Sequence, residues 1–363
     1  MLLKTQHRRC HHRDAPSLAR PDRVVALAAG KDIYVEKPMS HVFNEGPAII
    51  AAAKKYRRVV QHGSQMRSSP VTAGAGKLLD EGLLGEVRSP RPGTSSGEGP
   101  ARSSPSQAPA DVDTIAGWGR PRAEASTSTP FTATGGSTGL GNGDIGDDGI
   151  QTRHGPLGTR CHTQPIRITA HGSHSVYRGD NRGDREYPDN MMVNYEYEDG
   201  RVLIYEDRLF TPYGLHGYDS GNAFYGTNGY MIFSRRGAFS TFLGPKGKPG
   251  PTEPKENTDP AGLRAPHGQL PRIGPLTKLQ DAGPVPRSDT SRAASSTSAK
   301  WPYRSRGRLD FDPKTQAFKD APEATAMLTK NYRKGYELPQ VRPFSGRVRA
   351  RSRSVLSQPV AKG

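Results

Sequence analysis

The chain has 363 residues, enough for two domains, but only 33% of them are hydrophobic, and glycine and proline number 42 and 32. The formal net charge of +17 suggests a nucleic acid or an acidic surface as a partner. The two cysteines offer neither a disulfide framework nor metal-ligand spacing, so we predict no metal site. No apolar stretch approaches the length needed to cross a membrane.

The positive charge is unevenly distributed along the chain. Residues 27–87 hold eight basic and six acidic side chains, and residues 177–258 hold ten and twelve. The excess therefore lies outside these two stretches. Residues 177–258 also carry 14 tyrosines and phenylalanines, whereas residues 259–300 carry none. Balanced, core-forming sequence thus alternates with segments rich in Arg, Ser, Pro and Gly, which we expect to be disordered.

The first core-forming stretch predicts alternating helices and strands. The predicted elements are a helix that ends at Gly30, a strand at 32–35, a helix from Asn44, a strand at 59–63, a helix that ends near Gly82 and a strand from Gly85. This alternation predicts an α/β fold with a partial doubly wound, Rossmann-like parallel sheet. Residues 88–140 break the pattern, and their composition predicts linker or disorder.

The second core-forming stretch predicts a mostly antiparallel, open-sheet α+β domain. Strands at 191–197 and 201–206 flank the hairpin turn Glu198-Asp199-Gly200, and two more follow at 229–233 and 239–243. The predicted domains are a partial dinucleotide-binding domain at 1–88, an irregular segment at 89–140, a C-terminal substrate and oligomerisation sheet domain at 141–345 that is irregular at 259–302, and a basic tail at 346–363.

The run from Ala28 to Pro38, which ends in Glu36-Lys37-Pro38, resembles the Gfo/Idh/MocA family of glucose–fructose oxidoreductases and inositol dehydrogenases. Residues 59–67 are similar to the strand that follows in that family. Residues 141–146 and 187–243 resemble its second domain, and the Gly-Tyr-Asp-Ser-Gly block at 217–221 is typical of a large bacterial branch.

The resemblance implies a nicotinamide-dependent oxidoreductase of bacterial carbohydrate metabolism. It uses NAD or NADP and acts on a sugar, a polyol or a related alcohol. The implied catalytic residues are Lys37 and Asp147, and the implied cofactor-binding residues are Glu36, Lys37, Pro38, Gln65 and Arg67. Lys37 follows a parallel strand at its carboxyl end, where its ammonium group can orient a substrate hydroxyl during hydride transfer. We expect a cytoplasmic homo-oligomer with no nucleic-acid or membrane partner.

The chain departs from the family pattern at its second-domain motif, D-x-x-x-H followed three residues later by D. Asp147 fits the first position, but Gln151 stands at the histidine and His154 at the last aspartate. Glutamine cannot act as a general acid at neutral pH. The opening strand and the G-x-G-x-x-G turn that holds the pyrophosphate are also not found, so the first βα unit is expected to be missing. We therefore expect impaired activity and no measurable NAD binding in a calorimetric titration.

A reading-frame hypothesis accounts for the unusual segments. With suitable codons, a shifted frame turns residues 4–16 into KPSIDAATIATP, and residues 153–158 into DMARWG, which restores the missing aspartate. Residues 117–139, 266–279 and 286–302 also give family-like sequence. Out-of-frame GC-rich DNA tends to encode Arg, Pro, Gly, Ser and Ala, so the net charge is largely an artefact under this hypothesis. Accurate gene sequencing that finds these segments in frame as printed would contradict it.

Two alternatives remain open at this stage. A basic, partly disordered nucleic-acid-binding protein would use tracts such as 347–353, although these lack aromatic residues for base stacking. Steep salt dependence of nucleic-acid affinity would favour this alternative. A catalytically silent scaffold would oligomerise through the open second sheet, and light scattering together with a negative dehydrogenase assay would favour that one.

Overall fold

The structure is a computed structural model. It describes residues 9–12, 22–36, 39–63, 70–95, 143–146, 149, 163–176, 178–179, 187–211, 214–218, 220–234, 237–253, 303, 307–332 and 337–339. Residues 96–140 of the irregular segment predicted at 89–140, the irregular stretch predicted at 259–302 and the basic tail predicted at 346–363 lie outside these residues.

A three-stranded parallel sheet forms the first part of the fold. Its strands are β1 (Arg9–His12), β2 (Asp32–Glu36) and β3 (Val60–Gly63), in the order β1-β2-β3. Helix α1 (Asp22–Ala28) lies between β1 and β2 in the chain, and α2 (Glu45–Tyr56) between β2 and β3. Both pairs of strands are parallel, which confirms the predicted parallel sheet. β1 lies within residues 4–16, one of the segments covered by the reading-frame hypothesis.

The amphipathic pattern of α2 explains its packing against this sheet. Ile49, Ala52 and Ala53 are buried, as expected for residues spaced three and four apart on one helix face. Lys54 and Lys55 occupy the last turn, where the helix dipole favours positive charge.

A ten-stranded sheet forms the second part, in the order β11-β10-β9-β8-β4-β7-β6-β5-β12-β13. Its strands are β4 (Val87–Ser95), β5 (Arg167–Ser173), β6 (Asn190–Glu196), β7 (Val202–Arg208), β8 (Ser220–Gly226), β9 (Gly229–Ser234), β10 (Phe239–Leu243), β11 (Lys248–Glu253), β12 (Leu309–Asp312) and β13 (Ala317–Phe318). The helices that accompany it are α3 (Pro70–Asp80), α4 (Gly143–Gly146) and α5 (Pro322–Ala326). Every adjacent pair is antiparallel except β4 and β7, so the predicted mostly antiparallel sheet is confirmed.

The prediction of irregular structure from residue 88 is wrong for residues 88–95. These residues form most of β4, which pairs with β8 on one side and with β7 on the other. Pro90 and Pro92 lack a backbone N–H and cannot donate a hydrogen bond to a neighbouring strand. Both lie before Gly93–Ser95, the stretch that pairs with β7, so they do not interrupt that pairing. Pairing with the neighbouring strands therefore outweighs the poor strand composition of this segment.

Helix α3 packs against the ten-stranded sheet. Ala75 and Leu79 of the helix share a hydrophobic cluster with Phe224, Phe233 and Phe239 of the sheet. Among the residues that the structure describes, no helix is long and apolar enough to cross a membrane.

Candidate active site

The carboxyl ends of β2 and β3 lie side by side at one edge of the parallel sheet. Glu36, the last residue of β2, is registered against Gly63, the last residue of β3. The triplet Glu36-Lys37-Pro38, which contains the predicted catalytic lysine, therefore begins at this edge. In doubly wound sheets this edge is where ligands bind.

The loop after Pro38 connects two hydrophobic clusters. Met39 is buried in the cluster of the parallel sheet, and the guanidinium of Arg23 donates a hydrogen bond to its carbonyl oxygen. Phe43, four residues later, is buried in the cluster of the ten-stranded sheet together with Ile145 of α4. The segment that follows the predicted catalytic lysine and the helix that precedes the predicted catalytic aspartate thus share one core.

A buried carboxylate holds this loop to the C-terminal part of the chain. Glu45 is 2% exposed, and its Oε2 accepts a 2.8 Å hydrogen bond from the backbone N–H of His41. Its Oε1 accepts a 3.0 Å bond from the hydroxyl of Tyr332 and lies 3.2 Å from Nζ of Lys330. The same Nζ lies 2.9 Å from Nδ1 of His41. Asn44, the predicted helix cap, makes no capping hydrogen bond, and the loop is anchored through Glu45 instead.

A polar cluster joins the half-buried Asp144 of α4 to three buried residues of the ten-stranded sheet, Thr94, Tyr205 and Asp207. Thr94 of β4 and Asp207 of β7 are registered partners, which brings their side chains to the same face. The Thr94 hydroxyl donates to Asp144 Oδ2 at 2.6 Å and lies 3.0 Å from the Tyr205 hydroxyl and 3.4 Å from Asp207 Oδ1. The Tyr205 hydroxyl donates to Asp144 Oδ2 at 3.3 Å. Two carboxylates, one buried and one half-buried, and two buried hydroxyls therefore meet within one hydrogen-bonded network.

Burial raises the pKa of Tyr205 well above its ordinary value, and the negative charges of Asp207 and Asp144 raise it further. The hydrogen bond between Tyr205 and Thr94 lowers the pKa but does not reverse the shift. Tyr205 consequently remains a neutral phenol at physiological pH. It acts in this cluster as a hydrogen-bond donor and not as a base.

This raised pKa predicts a specific loss of stability in alkali. In the unfolded chain Tyr205 ionises near pH 10, whereas the folded chain keeps its proton to higher pH. Its stabilising contribution is therefore complete below about pH 10 and is lost as the pH rises towards the folded pKa. Between these two pKa values the parent should lose about 1.4 kcal/mol per pH unit more than Tyr205→Phe does. Urea unfolding at a series of alkaline pH values measures this difference, and parallel pH curves for the two proteins would contradict it.

The segment that contains Asp147 contacts Tyr205 on both sides. Asp144 lies three residues before Asp147 and accepts the Tyr205 hydrogen bond. Gly149 lies two residues after it, and a Cβ on this glycine would stand 2.9 Å from the Tyr205 hydroxyl oxygen. The chain on either side of the predicted catalytic aspartate is therefore in close contact with one buried aromatic ring.

Several predicted site residues lie outside the described part of the chain, and their roles stay predictions. They are Lys37, Pro38, Gln65, Arg67, Asp147, Gln151 and His154. Of the predicted cofactor-binding set, Glu36 alone falls within a described element, at the end of β2. Within the described ranges, no group of three or more His, Cys, Asp or Glu is placed to hold a metal ion.

Two groups of residues in this region carry no motif that singles them out in the sequence. Leu203, Tyr205 and Asp207 share one face of β7, and Tyr205 lies within the strand predicted at 201–206. A polar group at such an inward position was an available signal. Thr94 lies in sequence whose composition predicts irregular structure. Lys330 lies 285 residues beyond Glu45, and no local pattern connects such distant positions.

No protein-family model matches the chain, and no curated protein matches it. Solved structures do match. An aldose–aldose oxidoreductase from Caulobacter crescentus, complexed with glycerol, has a TM-score of 0.54 at 19% identity, covering 85% of this chain and 81% of its own. A levoglucosan dehydrogenase, in complex with NADH and levoglucosan, has a TM-score of 0.55 at 18% identity with the same coverage. The chain has the fold of these sugar oxidoreductases.

A third match extends the range of ligands found on this fold. An oxidoreductase from Agrobacterium radiobacter, in complex with NAD⁺, L-tartaric acid and magnesium, has a TM-score of 0.54 at 14% identity and covers 85% of this chain and 82% of its own. The predicted resemblance to the Gfo/Idh/MocA family is thus confirmed at the level of the fold. Because a fold hosts many chemistries, the activity has to be argued from the site.

Proposed function

We propose that the chain is an NAD(P)-dependent oxidoreductase that transfers hydride between the nicotinamide and a sugar, a polyol or a related alcohol, and that its activity is impaired. One observation carries this proposal. The loop after Glu36-Lys37-Pro38 and the helix before Asp147 are buried in a common core through Phe43 and Ile145. Two segments about 110 residues apart, each proposed to supply a catalytic side chain, are thereby held together.

The cofactor proposal is supported by the described strands. Two parallel strands end together at Glu36 and Gly63, and this carboxyl edge is suited to a dinucleotide. When bound there, the nicotinamide would accept or supply the hydride. The levoglucosan dehydrogenase was solved with NADH and the oxidoreductase from Agrobacterium radiobacter with NAD⁺.

The proposed division of roles follows from the chemistry of the side chains. Lys37, as an ammonium ion at the strand edge, would orient the reacting hydroxyl of the substrate. Asp147 would supply a carboxylate that can accept a hydrogen bond from a substrate hydroxyl. A proton acceptor is needed when an alcohol is oxidised, and Gln151 cannot supply one because an amide does not ionise. We therefore attribute the impaired activity to the lack of an acceptor for the proton of the substrate hydroxyl.

The ion pairs of the described arginines support an enzyme rather than a nucleic-acid-binding protein. Six of them lie in ion pairs, which neutralise part of the positive surface. The pairs are Arg88 with Glu86, Arg91 and Arg208 with Glu206, Arg167 with Glu196, Arg201 with Asp199, and Arg308 with Asp310. Nucleic-acid affinity at low salt that falls steeply as salt is added would favour the alternative.

Restoring a titratable group at position 151 tests the proposal. Gln151→His is expected to raise turnover about 10²-fold with millimolar NAD⁺ or NADP⁺, because general base catalysis contributes roughly 10²–10⁴. The assay follows the absorbance of the reduced nicotinamide against a panel of aldoses, polyols and anhydrosugars. Adding Lys37→Ala to the same protein should return the rate to background.

Lys55→Ala is the matched control, because Lys55 is an exposed lysine in the last turn of α2. It should leave the rate of the Gln151→His protein unchanged. A Gln151→His protein that stays at background with every substrate and both cofactors would contradict the oxidoreductase proposal. Light scattering on that protein would then show whether it is an oligomer, as the scaffold alternative requires.

A further inference from the structure

We propose that residues 328–332, here called the C-terminal strap, hold the loop at 39–44 in place at neutral pH and release it in acid, and that His41 is the group that takes up the proton. This is a conformational device, and it does not depend on oxidoreductase activity. It is argued from contacts among described residues of the loop, of α2 and of the strap.

The strap is joined to the loop by contacts that carry no charge. Leu328 is 1% exposed and lies in the same hydrophobic cluster as Phe43 of the loop. The carbonyl oxygen of Leu328 accepts a 3.0 Å hydrogen bond from the backbone N–H of Asn44. These contacts bring the polar side chains of the strap, Lys330 and Tyr332, to the loop and to the start of α2.

Lys330 lies between a carboxylate and an imidazole. Its Nζ is 3.2 Å from Oε1 of Glu45 and 2.9 Å from Nδ1 of His41, and both of these partners are buried. The carboxylate favours the charged form of the lysine. An ammonium group has three donors and no acceptor, so the Nδ1 atom must accept this hydrogen bond and must carry no proton. The strap in this arrangement therefore requires a neutral His41.

Charged and titratable groups from three elements meet this part of the loop. Glu45 begins α2, and the strap supplies Lys330 and Tyr332, whose hydroxyl donates a 3.0 Å hydrogen bond to Glu45. Helix α1 supplies Arg23, whose guanidinium bonds the loop backbone. If His41 were protonated, two cations would stand in contact beside a single carboxylate. The hydrogen bond to Nδ1 would be lost, and the repulsion would be little screened because the site is buried.

The direction of the pH dependence follows from this exclusion of a proton. A histidine in an open, solvated segment titrates near pH 6.5. A proton that binds only to the open arrangement favours opening once the pH falls below this value. The contribution of the strap is therefore complete above about pH 6.5, and opening should increase about tenfold for each pH unit below it.

Amide hydrogen exchange of the full-length chain tests this device without cofactor or substrate. After correction for the intrinsic rate, exchange at 40–46 and 328–332 is expected to increase about tenfold from about pH 7.5 to about pH 5.5. The amides of β6 serve as an internal reference for global unfolding. His41→Asn retains an acceptor oxygen but does not titrate, so it should abolish this increase.

His171→Asn is the matched control, because His171 is an exposed histidine of β5. It should show the same acid-induced increase at 40–46 as the parent. Lys330→Met removes the cation and leaves Glu45 as a neighbour of His41, so protonation should now be favoured. In this variant exchange at 40–46 should fall on acidification, which reverses the parent's behaviour and remains informative if His41→Asn fails to fold.

Three results would overturn the proposal. The first is the same acid-induced increase in His41→Asn as in the parent. The second is an increase that persists in Lys330→Met. The third is a loop that is unprotected in the parent at about pH 7.5. Because none of these measurements requires turnover, the proposal stands or falls independently of the oxidoreductase assay.

Discussion

Gly221→Ala is expected to destabilise the protein by about 3 kcal/mol or more, because the interior of a packed sheet has no room for the added methyl group. A Cβ at Gly221 would lie 2.2 Å from the carbonyl oxygen of Phe233 and 3.1 Å from Cα of Ser234. Both neighbours are backbone atoms of β9, so no side chain can move aside to relieve the overlap. Gly221 also pairs with Gly93 of β4, which confines it from the other side.

Gly74→Ala is the matched control for this substitution. Gly74 lies on the exposed side of α3, and nothing lies within 4 Å of the Cβ that alanine would add. The two substitutions restrict the unfolded chain equally, and in a helix the change should stabilise by about 0.5–1 kcal/mol. Urea unfolding should therefore show opposite signs for the two variants. A Gly221→Ala protein as stable as the parent would contradict the close packing of β8 against β9.

Gly221 ends the Gly-Tyr-Asp-Ser-Gly block that supports the family resemblance, and the structure supplies a physical reason for that glycine. Strands β6, β7, β9 and β10 were predictable because period-two alternation and the turn at Glu198-Asp199-Gly200 are local signals, whereas β8, which contains Gly221, was not among the predicted strands. A strand was predicted to start at Gly85, but the continuation of β4 through residues 88–95 was not, because Pro90, Pro92 and Gly93 give this stretch poor strand propensity. Its conformation depends on β7 and β8, which lie more than 100 residues later in the chain.

The contrast between local sequence signals and contacts between distant segments also applies to the candidate site. Glu36-Lys37-Pro38 is a contiguous motif, and its place at the end of a parallel strand follows from the local alternation of helices and strands. The polar cluster of Thr94, Asp144, Tyr205 and Asp207 joins β4, β7 and α4. These elements are far apart in the sequence, so the cluster forms only when the chain folds. The ion pair of Lys330 with Glu45 likewise depends on the C-terminal segment returning to the loop after Lys37.

Phe43→Ala is expected to destabilise the protein by about 3–5 kcal/mol, the usual range when a buried phenylalanine is truncated. Phe43 is 2% exposed, and its ring lies edge-on to that of Phe311, with centroids 5.5 Å apart. It also connects the loop after Lys37 to the core of the ten-stranded sheet. Loss of the ring should therefore increase amide exchange at 39–44 by more than the global destabilisation accounts for. Chemical unfolding and hydrogen exchange measure the two effects separately.

Phe318→Ala is the control that distinguishes these effects. Phe318 is 5% exposed and packs against the ring of Phe311, as Phe43 does, with ring centroids 5.3 Å apart. Its truncation should cost a similar free energy of unfolding, about 3–5 kcal/mol, while the loop at 39–44 keeps its contacts. Phe43→Leu, which retains most of the apolar volume, should cost about 1.5 kcal/mol or less and preserve protection of the loop.

Equal loop exchange in Phe43→Ala and Phe318→Ala, after correction for stability, would mean that Phe43 contributes only to the core. A selective effect of Phe43 would instead mean that the order of the loop at 39–44 depends on the ten-stranded sheet, which is the coupling that a site shared between the two sheets requires.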